Sequence, residues 1–501
     1  MVKFQVKYYI SFAVSLFFFC IFCFALPLEY LLNFAHDDSF FYLKIAGNFS
    51  EGLGLTFDGF TRTNGYHPLY LTVLSLLFSL FRFLSVTSPE IQFRFVCVLH
   101  LLILHLTALT AYLFFRKEKN GTRKFILFLL LCLPLVFIRD FGLESHLSCL
   151  IFSLLVYNKF RKEQQKQIQL LNAVLISLLF LSRIDYLWSL APFLIIADVL
   201  TAEKASKKSV LLYDVSAVTL TAGFYFIVNF LAFKNLMPVS AVVISSFPET
   251  VFAENVKNLF TDTSYLYNQT ARFIFLLIAA VVLLISKSKS KETYFCLTAI
   301  AGGIAGLLIN TAFSKYNIRE WYLTLPVFIS LFALSGIYEF RSKVAEKLIA
   351  FFLCLFFIAV FAYTRAGNFK WNNSYEYAKI IQSKTEKKDF IYQFDYSGAV
   401  SFFSDRNIVN GDGLVNDFEY YNYLKSGRIS DYIKAKNIGF VSTIVYNDLK
   451  TDSAGKLIFE SEPFLNGLNL GRNDIVNIFG FDFRHAVRPK KGNWILIKTG
   501  K

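Results

Sequence analysis

The chain has 501 residues, of which 55% are hydrophobic, 18% aromatic and only 17% charged, with 59 Phe and 27 Tyr. That composition excludes an ordinary soluble protein and points to a chain solvated mainly by lipid. The 51 Lys and Arg against 36 Asp and Glu give a formal net charge of +15, which in a membrane chain marks loops held in the cytoplasm rather than nucleic-acid binding.

The first apolar segment, Tyr8 to Leu28, follows Lys3 and Lys7. It is longer than a signal-peptide core and has no small-residue exit, so it reads as a retained anchor with a cytoplasmic N-terminus. Next comes the densest polar text near any apolar run, HDDSFFYLKIAGNFSEGLGLTFDGFTRTNGYHPLY, His36 to Tyr70. Its SFFYLKIAGNF stretch reads as an amphipathic interfacial helix with Phe, Tyr, Leu and Ile toward lipid. One Asp would suffice to cap that helix. A second adjacent carboxylate beside His36, with Glu51 and Asp58 close by, repels unless a cation, a proton or a substrate hydroxyl stabilises it.

Further apolar segments fall near 95–115, 124–138, 144–158, 169–181, 187–200, 210–232, 269–286, 293–311, 321–338 and 347–364. The connectors 116–124, 159–167, 201–208, 287–292 and 339–347 hold 18 Lys and Arg, and all five lie in the cytoplasm if the stretch 67–84 stays at the outer interface instead of crossing. The connectors around 36–66, 139–146, 232–267 and 311–320 are then outside. Two of these carry charges that are costly unless used: Arg139, Asp140 and Glu144 in RDFGLESH, and Lys315, Tyr316, Arg319 and Glu320 in FSKYNIREW. Arg183 and Asp185 interrupt an apolar run and read as an internal pair at a helix break. After Arg365 the texture turns polar, with candidate strands 438–446 and 494–498 and candidate helices 374–384 and 417–425, as in a small α/β domain. The seven Cys are scattered through apolar runs and form neither a disulfide framework nor a zinc motif.

The order anchor, Asp37-Asp38, FYLKIA, a Gly-rich segment, TFDG and TNGYHPLY resembles the bacterial GT-C class glycosyltransferases that use polyprenyl-phosphate sugars, related to mycobacterial arabinofuranosyltransferases and protein mannosyltransferases. RDFGLESHL resembles the GLET segment of such enzymes, with His146 where relatives carry Thr, and SRIDYLW resembles their broken-helix RxD segment. Asp395 to Asn416 resembles the opening of their C-terminal domain. The resemblance implies an α-helical polytopic membrane protein with a GT-C-like domain, 1–364, a catalytic first outer loop, 34–94, and an extracytoplasmic α/β domain, 365–501. The implied reaction moves a sugar from a polyprenyl-phosphate donor to an extracytoplasmic glycan, lipid or protein acceptor in the bacterial cytoplasmic membrane, with inversion.

The chemistry needs a base and cationic groups around the leaving phosphate. Asp37 or Asp38 is the candidate base, Asp37 first, with Asp38 orienting it, binding acceptor or ligating a cation, and Glu144 organises the base loop or binds an acceptor hydroxyl. Lys315 and Arg319, four apart on a helix end, are expected to hold the phosphate, with Arg62, His67, Asp140 and Tyr316 as further substrate-binding candidates. Metal use stays open: His36, Asp37 and Asp38 could hold a divalent cation. A multispan transporter with an outer domain and a non-catalytic envelope assembly component are the alternatives.

Overall fold

The computed structural model describes residues 2–118, 120–136, 140–160, 166–261, 271–285, 290–316, 318–337, 373–445, 449–484 and 489–499. The expected span 347–364, Arg139 and the connector 339–347 lie outside them. In chain order the membrane-domain helices are α1 (Val2–Ala25), α2 (Leu28–Leu32), α3 (Asp37–Ser50), α4 (Pro68–Phe83), α5 (Pro89–Phe115), α6 (Gly121–Val136), α7 (Ser145–Lys159), α8 (Lys166–Ser182), α9 (Leu190–Thr201), α10 (Lys207–Phe233), α11 (Val239–Ile244), α12 (Phe252–Thr261), α13 (Ala271–Ile285), α14 (Lys291–Phe313) and α15 (Trp321–Ile337). Among the described residues α5, α10 and α14 are long and apolar enough to cross a membrane, and α4, α9 and α15 are shorter apolar helices. Proline opens both α4 and α5, where its missing N–H costs nothing and its fixed φ suits the first turn. The break expected at LSRIDYLW is present: α8 ends at Ser182, Arg183 is extended, and a single 3-10 turn, Ile184–Leu187, leads to α9.

The C-terminal domain continues with α16 (Ser374–Lys384), β1 (Phe390–Gln393), α17 (Ser397–Ser404), β2 (Asn407–Asn410), α18 (Phe418–Lys425), α19 (Ile429–Ala435), β3 (Phe440–Val445), β4 (Lys450–Thr451), β5 (Leu457–Ile458), β6 (Ile475–Arg484) and β7 (Pro489–Lys498). One five-stranded sheet has the order β2-β1-β3-β7-β6. β1 runs parallel to both β2 and β3, and β7 is antiparallel to β3 and β6. One sheet face builds a core of its own around Tyr392, Val409, Tyr420, Tyr432, Val441 and Ile495. The other face, with Ile391, Ile408, Trp494 and Leu496, is continuous with the core of the first loop.

That continuity corrects one expectation. Phe40, Phe41, Tyr42, Leu43 and Ile45 of α3 are buried, and Phe49 is exposed. The apolar face of α3 meets protein instead of lipid, because α4 and α17 cover it. Phe40 packs at 5.3 Å from both Phe93 and Phe403, and each such fully buried ring contributes about 1.5–3 kcal/mol relative to exposure. α4, at 16 residues, is about 24 Å long, short of the ~30 Å hydrocarbon core. The segments flanking it meet the C-terminal domain: Gly65, in the loop before it, abuts the Leu414 backbone, and Glu90, in the first turn of α5, accepts from Lys379 Nζ at 2.6 Å and Tyr375 OH at 3.1 Å.

A buried carboxyl in the C-terminal domain gives a pH signature. Glu462 is 5% exposed; Thr443 Oγ1 donates to its Oε1 at 2.8 Å, and Oε2 has no hydrogen-bond partner. Burial, opposed by the Thr443 bond, pushes it up to about 8. In the unfolded chain it ionises from about pH 4.3, so its contribution is fully present below that value and is lost as pH rises to about 8. Glu462→Gln should match wild type in thermal unfolding near pH 4 and be more stable than wild type above about pH 8. Parallel Tm curves across that range would refute the assignment.

Candidate active site

The site grows from the N-terminus of α3. His36 is its N-cap: the ring Nδ1 accepts from the Asp38 amide at 3.3 Å, and Ser39 Oγ accepts from the His36 amide at 3.3 Å. This reciprocal cap uses neither aspartate side chain. The two carboxylates, at adjacent positions, therefore point to separate tasks. Asp37 is 5% exposed and accepts from the amides of Gly398 (Oδ2, 3.0 Å) and Ala399 (Oδ1, 2.8 Å) at the start of α17. Burial holds its carboxyl well above the ordinary range against those two donors, and the Asp38 charge adds to the rise.

Asp38 stays open, its side chain 32% exposed, with Oδ1 3.3 Å from His36 Nδ1. The His36 ring packs on Trp321 at 4.6 Å. Burial alone would raise the Asp38 carboxyl, but the His36 ring, when its Nδ1 is protonated and faces Oδ1 instead of the amide, and Arg319 hold it below the ordinary carboxylate range. Across the domain junction lie Asp395, after β1, and Asp412, after β2. Burial pushes Asp412 up to about 7; the Leu414 amide, donating at 2.8 Å, opposes this, and the charges of Asp38 and Asp395 reinforce it. Asp395 is raised by burial against the Tyr396 amide and Arg319. Tyr316, 39% exposed, feels Asp412, Arg319, Asp395 and Asp38 together. Asp38 thus lies within electrostatic reach of Arg319 and of two weaker acids, Asp395 and Asp412.

A second network lies deeper. Glu144, 2% exposed, receives Arg183 Nη1 on Oε1 at 2.9 Å and Tyr42 OH on Oε2 at 3.2 Å. Arg183 also donates to both oxygens of Asp185 at 3.2 Å and lies over the Tyr322 ring at 4.2 Å. His67 Nδ1 accepts from the Ile184 amide at 3.2 Å, and its Nε2 is 3.8 Å from Glu144 Oε1. Four segments far apart in sequence meet here: α3, the start of α4, the α7 turn and the helix break. Trp321 and Tyr322, adjacent at the start of α15, touch one network each.

The structure brings Asp38, Arg319 and Tyr316 within electrostatic reach of one another, and Glu144 and His67 into the buried network. Other expectations change. Residues 314–316 and 318–320 are not helical: α14 ends at Phe313, and the Lys315 amide donates to Ile244 O at 2.8 Å, so Lys315 and Arg319 share no helix face. Asp140, expected on the substrate, is fully buried and accepts from Thr324 Oγ1 at 2.6 Å; it fixes the α7 turn. Arg62 is exposed beside the bridge joining Thr56 and Arg62. Among the described residues no group of three His, Cys, Asp or Glu side chains could hold a metal ion. His36, Asp37 and Asp38 do not form a ligand set, because both Asp37 oxygens serve α17, and no step is routed through a cation. Asp395 and Asp412 escape sequence reasoning, although the segment carrying them stands out; only folding puts them opposite residue 38.

No protein-family model and no curated protein sequence matches the chain. Among solved structures it is similar to ArnT from Cupriavidus metallidurans, known bound to undecaprenyl phosphate and in the apo state, with 10% identity and a TM-score of 0.56 over 99% of this chain and 98% of that one. It is also similar to the archaeal oligosaccharyltransferase AglB from Archaeoglobus fulgidus, in complex with an inhibitory peptide and a dolichol-phosphate, with 13% identity and a TM-score of 0.48 over 88% and 70%. The arabinofuranosyltransferase AftD from Mycobacteria gives 13% identity and 0.49 over 98% and 40%. The likeness to ArnT runs end to end and is one of fold: the chain has the GT-C fold, with its strand-containing domain at the C-terminus.

Proposed function

We propose that the chain is a membrane glycosyltransferase that moves a sugar from a polyprenyl-phosphate donor to a glycan, lipid or protein hydroxyl outside the cytoplasm, with inversion. The observation that carries this reading is Asp38: an ionised, half-open carboxylate that its own helix does not need, beside Arg319 in a fold shared with a protein bound to undecaprenyl phosphate. The acceptor hydroxyl gives its proton to Asp38 as its oxygen attacks the anomeric carbon. The bond from that carbon to the phosphate oxygen breaks, and its electron pair leaves with the polyprenyl phosphate. Arg319 neutralises the departing charge. The segments on either side of α4 touch the C-terminal domain, which supports a segment 67–84 lying at the outer interface and a site facing outward in the bacterial cytoplasmic membrane.

Purified protein in nanodiscs, given undecaprenyl-phosphate pentose or hexose and candidate hydroxyl acceptors, should release undecaprenyl phosphate in step with glycoside formation. Movement of intact donor across the bilayer without cleavage would favour the transporter and sink the enzyme.

A further inference from the structure

The C-terminal sheet runs β2-β1-β3, so the order in which parallel strands are added reverses at β1. Open α/β sheets place ligands beyond the carboxyl ends of the strands at such a reversal, commonly with an anion on the following helix N-terminus. Here that helix is α17, and its first amides are already ligated by a carboxylate of the same chain: Gly398 and Ala399 donate to the two oxygens of Asp37. The contact is tight in every direction. A Cβ at Gly398 would collide with the Asp37 carbonyl oxygen, and Phe402 and Phe403 of α17 pack on Phe40 of α3 at 5.8 and 5.3 Å.

We infer that Asp37 is a positioning residue: an internal carboxyl group that occupies the ligand crevice of the C-terminal domain, docks that domain on the first loop and thereby fixes the neighbouring Asp38 against Arg319, Asp395 and Asp412. The catalytic part rests on the function proposed above; the docking part does not. A carboxylate spanning two amides cannot be replaced by its amide, since the Nδ2 hydrogens of asparagine would confront one of the two N–H groups.

Two variants and two readouts test this. Hydrogen exchange of the full chain in nanodiscs, followed on a peptide spanning 396–404, should show the Gly398 and Ala399 amides exchanging about tenfold or more faster in Asp37→Asn than in wild type, the scale of losing a buried hydrogen bond. Peptides from β3 and β7 should be unchanged. Gly398→Ala leaves the carboxylate chemically intact but forces α17 away. Both variants should lower transfer to a similar extent, with no further loss in the double variant, and both should move the acid limb of the rate–pH profile upward as Asp38 drifts from His36 and Arg319. A group that merely stabilises the fold would lower the amplitude and leave the limb in place. Unchanged exchange in Asp37→Asn overturns the docking role. Full transfer in Gly398→Ala with a dead Asp37→Asn overturns the positioning role and makes Asp37 the base. If no donor is turned over by wild type, the proposed function falls while the exchange result still decides the docking.

Discussion

Asp38→Asn should fold normally, bind donor at wild-type occupancy and lose at least about 10²-fold in single-turnover transfer, the lower range for a positioned proton acceptor. The substitution keeps the shape of the side chain and removes its basicity. Stability should change little, because the α3 cap is made by His36 and Ser39, in contrast to the ~0.5–2 kcal/mol lost when a capping aspartate is replaced. Wild-type transfer should also stay flat on the acid side until pH falls below the ordinary aspartate value of about 3.9, because His36 and Arg319 hold Asp38 beneath it. Wild-type turnover in Asp38→Asn, with donor bound, would remove Asp38 from the chemistry.

The second large effect belongs to Arg183. Replacing it with Met leaves Glu144 buried without its cation, and breaking a buried ion pair in this way costs about 3–5 kcal/mol. The loss should appear as a lower unfolding midpoint in detergent and as weaker donor binding, since the same guanidinium joins the helix break to the turn carrying Glu144. Adding Glu144→Gln to Arg183→Met should recover part of the stability by deleting the stranded charge. An Arg183→Met protein within ~1 kcal/mol of wild type would show that solvent reaches this network. Arg183→Lys should fall between, because lysine cannot serve Asp185 bidentately and Glu144 at once.

Hydropathy is enough to find most membrane helices here: 210–232 and 293–311 correspond to α10 and α14, and 95–115 to α5, within a few residues. The fold class follows from the same signal and from the first-loop motif. The faces of α3 do not follow, since periodicity says which residues are apolar but not what covers them; the cover, α17, lies hundreds of residues downstream. The shared face expected of Lys315 and Arg319 fails for a local reason: a four-residue spacing means a shared face only if the backbone is helical. Choosing between Asp37 and Asp38 is harder still. Adjacent helical residues point about 100° apart, so one carboxylate meets α17 and the other meets the cleft, a distinction carried by no local pattern.

The bond between Asp37 and the α17 amides also sets an order of events during synthesis. Its two halves are separated by 361 and 362 positions, so at ~5–20 residues per second roughly 20–70 s pass between making the loop and making its partner. Throughout that interval Phe40 has no Phe403 to pack on, and Asp37 has no amide donors from α17. A nascent chain stopped anywhere before Gly398 therefore carries Asp38 and the loop around it but has no assembled cleft, and the transfer site comes into being only as the last quarter of the polypeptide folds.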